Sequence, residues 1–119
     1  MDLLENDVLK AGLHGPVSMA QVSRFASLRF PGGGVEIAVA VTAIRFLLEN
    51  DLIRVGDVSD REFSAWGSPF AETVWRIEDG WWALGHEPSP GELGWIENTE
   101  LGNVRAVEPW LIRTFGIAA

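Results

Sequence analysis

Leu4, Val8 and Ala11 repeat at spacings of four and three, which predicts a first helix over about Leu3–Ala11. Asp2 stands where an N-cap belongs and Glu5 three residues later, an acidic form of the reciprocal cap, while Gly12, Gly15 and Pro16 close the segment. A second helix is predicted from Met19 to about Leu28. Its cap is Ser18 with Gln21 three residues on, and Val17 and Val22 occupy the positions of a hydrophobic staple. Phe30-Pro31-Gly32-Gly33-Gly34 ends it in a loop.

Residues 35–50 fit two periods. Val35, Ile37, Val39 and Val41 alternate with Glu36, Ala38, Ala40 and Thr42 as in a strand. Ile37, Ala40, Val41, Ile44, Leu47 and Leu48 make a longer continuous helical stripe, so a helix over roughly Glu36–Glu49 is predicted. Leu52 to Val58 then reads as a strand with a turn at Ser59-Asp60 and a return strand over Arg61–Ala65. Ser68-Pro69 opens a fourth helix, whose buried seam is Phe70, Val74, Ile77, Trp81 and Leu84, with Gly85 as its stop. Ser89-Pro90-Gly91-Glu92 repeats the cap-and-proline signal and predicts a short helix to about Glu97. Pro109 begins a last turn or helix containing Trp110, Leu111 and Phe115.

Three helices, the third leading into Leu52-Ile53-Arg54-Val55-Gly56-Asp57, follow one another as in a winged-helix domain, which the chain resembles. The resemblance implies that the third helix is the potential reader and the following strands the wing. The chain also resembles a group of small, uncharacterised actinobacterial proteins. The stretches that carry this are Phe46-Leu47-Leu48-Glu49-Asn50-Asp51-Leu52-Ile53-Arg54-Val55-Gly56-Asp57, Trp66-Gly67-Ser68-Pro69, Arg76-Ile77 and Gly91-Glu92-Leu93-Gly94-Trp95-Ile96-Glu97-Asn98-Thr99. They span about half the chain and bring no activity or functional residue with them. The fold class expected is mainly α (α+β): three N-terminal helices, a short hairpin wing, a long helix and short C-terminal helices. With 119 residues and 47% apolar content, a single domain over 1–119 is expected, with 1–66 as helical core plus wing and 67–119 as helical extension.

Charge narrows the chemistry. Nine Lys and Arg face 17 Asp and Glu, a net charge of −8, which opposes general binding to nucleic acid or anionic membranes. The longest uncharged apolar run, Ile37–Ile44, falls far short of the ~20 residues that span a bilayer. The opening Met1-Asp2-Leu3-Leu4-Glu5-Asn6-Asp7 is acidic where a signal peptide is basic, so a soluble cytoplasmic chain is expected. With no cysteine, disulfides, thiolate metal sites and cysteine nucleophiles are excluded.

His14 and His86 sit in no nucleophile or metal motif, and His86 reads as a cation near a helix C-terminus. Glu78 and Asp79 point about 100° apart on a helix, so they and the pair Glu97/Glu100 read as solvated surface rather than a general acid and base. Gly32-Gly33-Gly34 lacks the Lys-Ser/Thr ending of a P-loop. No catalytic residue, metal site or cofactor is expected, and the chain is read as a non-enzyme.

Two kinds of partner remain. For DNA, the bases available are Arg24, Arg29, Arg45 and Arg54, in the half (1–58) where five bases meet seven acids rather than four meeting ten. Against this, the outward stripe of the third helix is Ala38, Thr42, Arg45 and Glu49, and Arg45 and Glu49 are spaced to pair with each other. For a protein partner, the feature is tryptophan, six in one small chain. Trp75 and Trp82 lie about 120–140° from the centre of the fourth helix's seam and are seven apart, with Glu78 between them. Either a basic protein covers this flank or the chain's own Trp110–Phe115 does. The leading expectation is a small acidic protein-binding module, for instance an immunity-type or antitoxin-type neutraliser of a basic effector, binding through Trp75, Glu78 and Trp82. The alternative is a winged-helix transcription regulator.

Overall fold

The N-terminal helix α1, Leu4–Gly12, buries Leu4, Val8 and Leu9. The computed structural model describes residues 3–31 and 35–115, with side chains to residue 108. Its first cap differs from expectation: Leu3 is the N-cap, extended and without a side-chain bond, and Asp2 lies outside the described residues. Val17–Ser18 forms a two-residue strand, β1, and α2 follows at once over Met19–Arg29. Ser18 serves both elements, since its Oγ accepts from the Gln21 amide at 3.2 Å as its spacing predicts. The ambiguous segment is helix, α3, over Glu36–Glu49, with Ala40, Val41, Ala43, Ile44 and Leu47 buried.

Strand β2, Ile53–Ser59, turns back into β3, Glu62–Ala65, through Asp60 and Arg61. Both turn residues take positive φ (52° and 68°), the backbone of a two-residue hairpin turn that follows the strands' twist. The turn lies one residue later than the predicted Ser59-Asp60. Helix α4 spans Phe70–Leu84 and ends on Gly85 in the left-handed conformation. Pro69, not Ser68, is its N-cap, and the Ser68 hydroxyl instead meets that of Thr73 at 2.7 Å. Val74, Ile77 and Trp81 of the predicted seam are buried against the core, but Phe70 at the open first turn is 42% exposed and Leu84 only half-buried.

The C-terminal third departs most from expectation. Residues 90–93 make an isolated turn rather than a helix, because Leu93 and Gly94 both take positive φ (66° and 99°). Trp95–Asn98 is then a strand, β4, followed by one long helix, α5, over Glu100–Phe115. Thr99 starts α5: its Oγ1 accepts from the Gly102 amide at 3.0 Å. Pro109 therefore lies within this helix instead of opening one, and the side chains of Trp110, Leu111 and Phe115 lie outside those described.

The architecture is α+β: five helices and one antiparallel sheet of order β1-β4-β2-β3 among the described residues. The late strand β4 is one of its two inner strands, with Ile96 opposite Val17 on one side and Val55 on the other. Ile96 is wholly buried, so the ladder and the core meet at this residue. Helix α4 packs on α3, and α5 packs on α1 and β4. Trp66 ties α4 to the hairpin: its Nε1–H donates to Asp57 Oδ2 at 3.0 Å, and the Arg76 guanidinium lies 3.6 Å over its ring. No helix among the described residues is long and apolar enough to cross a membrane.

Candidate functional site

Helix α4 has two kinds of tryptophan because its seam is narrow. Trp81 falls on the face packed toward α3 and is 3% exposed. Trp75 and Trp82 fall on the flank and are 63% and 60% exposed, with Glu78 half-buried between them. Seven helical residues separate the two indoles by about 10.5 Å along the axis, so they stand in one row. The described part of α5 rests on α1 and β4, on other elements of the fold, and leaves this row uncovered.

Trp82 also forms one wall of a cleft of about 460 Å³ at the junction of α2, α3 and α4. Ser23 and Ser27 come from α2, Glu36 and Ile37 from the start of α3, and Trp81, Trp82 and Gly85 from the end of α4, with His86 and Glu87 just beyond. The αL turn at Gly85 is what swings His86 and Glu87 back over the cleft. His86 Nδ1 donates to the Glu87 carbonyl oxygen at 2.8 Å. Of the predicted trio, then, Trp82 borders the cleft, and Trp75 and Glu78 continue away from it along α4. Sequence reasoning missed Ser23, Glu36, His86 and Glu87 as neighbours. They come from three segments with no common local signal.

The four arginines proposed for DNA are unequal. Arg29 is held by Asp7 through a two-pronged ion pair, Nε to Oδ2 at 2.5 Å and Nη2 to Oδ1 at 2.9 Å, which clamps the end of α2 to α1. Arg54 pairs across the strands with Glu97. Arg24 is exposed and faces a second hollow shared with Glu87 and Pro88. Arg45 is exposed on the outer face of α3 beside Thr42 and Glu49, as the stripe predicts. The spacing-based pair does not form: no ion pair joins Arg45 to Glu49 among the described residues. Thr42 spends its hydroxyl on its own helix, donating to the Ala38 carbonyl at 2.7 Å. Two of four cations are thus already neutralised, and the outer face of α3 offers one.

His14 is exposed at the loop after α1, remote from any second histidine in sequence, and no group of three or more His, Asp or Glu among the described residues is placed to hold a metal ion. Glu97 belongs to its ion pair with Arg54, on a strand rather than on the predicted helix, and Glu100 begins α5. Comparison with protein-family models, curated proteins and solved structures gives no significant match to this chain.

Proposed function

We propose that the chain is a non-enzymatic, cytoplasmic protein-binding module on a winged-helix-like frame, of the immunity or antitoxin kind that neutralises a basic effector. The observation that carries this reading is the pair of indoles on α4, Trp75 and Trp82, 63% and 60% exposed in one row. Large aromatics held out on a rigid helix lose little freedom on binding and are the usual anchors of protein interfaces. The chain's net charge of −8 steers basic partners toward it and repels nucleic acid. The frame is supported by element order: α1, β1, α2 and α3 precede the β2–β3 hairpin, which stands where a wing would.

The test is a pull-down from native cytoplasm with the wild type and with Trp75→Ala/Trp82→Ala, followed by affinity measurement on the captured protein. The double variant is expected to melt within a degree or two of wild type, since neither side chain is buried. It should bind at least 2 kcal/mol more weakly, roughly thirtyfold. Unchanged affinity would remove these residues from the interface.

The second reading, a winged-helix DNA-binding regulator, rests on the same element order and on the exposed Arg24 and Arg45. A protein with so few free cations is expected to give no sequence-specific DNA complex at physiological ionic strength. A nanomolar gel shift abolished by Arg45→Ala would replace the first reading with the second.

A further inference from the structure

We infer that the cleft between α2, α3 and α4 receives the guanidinium of an arginine side chain presented by a basic protein. This assignment rests on the protein-binding reading and specifies what the partner contributes. Three observations meet in it.

The first is the balance of donors and acceptors. Glu36 and Glu87 bring carboxylates from two different walls, and among the described residues no lysine or arginine lines the cleft. An anion entering would meet two like charges. A cation rich in donors meets acceptors on both sides. The second is Ser23, only 3% exposed, which lines the cleft and whose hydroxyl has no hydrogen-bond partner among the described residues. Its oxygen is not fully enclosed, so water in the cleft reaches it; an apolar occupant would strip that water and leave it unpaired, and a polar occupant that bonds to it is favoured. The third is the indole of Trp82, which forms one wall and is 60% exposed. The protein already shows what such an indole does with a guanidinium: Arg76 lies 3.6 Å over the ring of Trp66.

Together these choose arginine over lysine. A guanidinium is planar, so it can lie on an indole while its five donors reach acceptors at its edges. An ammonium is a compact, strongly hydrated point charge that would satisfy one wall at a time. At about 460 Å³ the cleft is at the lower end of the range of sites that hold small ligands, ample for one side chain entering from outside.

Three short capped peptides test it: one with a single arginine among serines and glycines, one with citrulline in its place, and one with lysine. Binding is read from the Trp82 indole N–H resonance, assigned by its loss in Trp82→Ala. The arginine peptide should shift that resonance saturably, with the neutral citrulline peptide binding about tenfold more weakly and lysine falling between them. Glu36→Gln, read from the same resonance, and Trp82→Ala, read by calorimetry, should each weaken the arginine peptide about tenfold, whereas Trp75→Ala, outside the cleft, should leave it within about twofold. Equal binding of the arginine and citrulline peptides overturns the assignment, as does an unmoved Trp82 resonance at millimolar arginine peptide. If that second result accompanies loss of the protein partner in Trp75→Ala/Trp82→Ala, the cleft assignment falls while the protein-binding reading stands.

Discussion

Trp81→Ala is expected to lower the free energy of unfolding by about 3–5 kcal/mol, the range for deleting a buried large aromatic. A domain of this size has only about 5–15 kcal/mol to lose. Trp81 is 3% exposed and continues the line of Val74 and Ile77, so its indole is what the C-terminal half of α4 sets against the core. Because Trp81 also lines the cleft, its removal enlarges a space already open to water instead of sealing a void. That places the loss toward the lower end of the range. Ile77, 1% exposed and away from the cleft, should lose about 2–5 kcal/mol on truncation. Trp82→Ala, one residue on, should stay within about 0.5 kcal/mol of wild type. Urea denaturation of the three variants measures the pattern directly. A large loss at position 82 with a small one at 81 would mean that α4 is rotated by about one residue, 100°.

That contrast between neighbouring tryptophans was legible in the sequence because a helix fixes angular offsets locally. The same holds for α3, where the stripe through Ala40, Val41, Ile44 and Leu47 outlasts the strand-like alternation at its start. Ser18 was legible for a related reason: a cap and its amide are three residues apart. The errors came where long-range pairing overrides a local signal. A contact between Ser89 and Glu92 does form, but through the Ser89 backbone rather than the hydroxyl a cap would use: the Ser89 amide donates to Glu92 Oε1 at 2.8 Å and the Glu92 amide to the Ser89 carbonyl at 2.9 Å. It closes a single turn only, because Leu93 and Gly94 then leave the helical region. Trp95–Asn98 becomes a strand since β1 and β2 both present it with open ladder edges, which no window of ten residues contains. The helix after it was missed by giving Pro109 the role that Thr99 performs. The cleft was out of reach for the same reason as β4. Ser23, Glu36 and Glu87 lie far apart in the chain and converge only once α2, α3 and α4 have packed.

The start of α5 carries the other large expected effect, and its sign opposes helix propensity. Gly102→Ala places the better helix former in the first turn, which by propensity alone would stabilise by about 1 kcal/mol. Yet Gly102 is buried, and a Cβ there would sit 2.0 Å from the Leu52 carbonyl oxygen and 3.0 Å from its carbon. That carbonyl already accepts from the Thr99 amide at 3.0 Å, so the entry to β2 and the entry to α5 are pinned at one point. Both sides of the clash are backbone, and no rotamer change relieves it. The net loss is expected to be about 2 kcal/mol, the upper end for overpacking, about 3 kcal/mol, less the propensity gain. Gly80→Ala is the matched control within a helix. A Cβ there meets only the Leu93 Cδ2 atom at 3.0 Å, the far end of a flexible side chain. It should be nearly neutral, with Leu93 turning aside and propensity offsetting the cost. If Gly102→Ala instead matched or exceeded wild-type stability, α5 could not be seated on the Leu52 carbonyl, and the junction that joins it to β4 and α1 would have to be placed elsewhere. Below its lowered melting temperature, Gly102→Ala should still bind its partner as wild type does, because the Trp75–Trp82 row lies on α4, which packs against α3 and not on this junction.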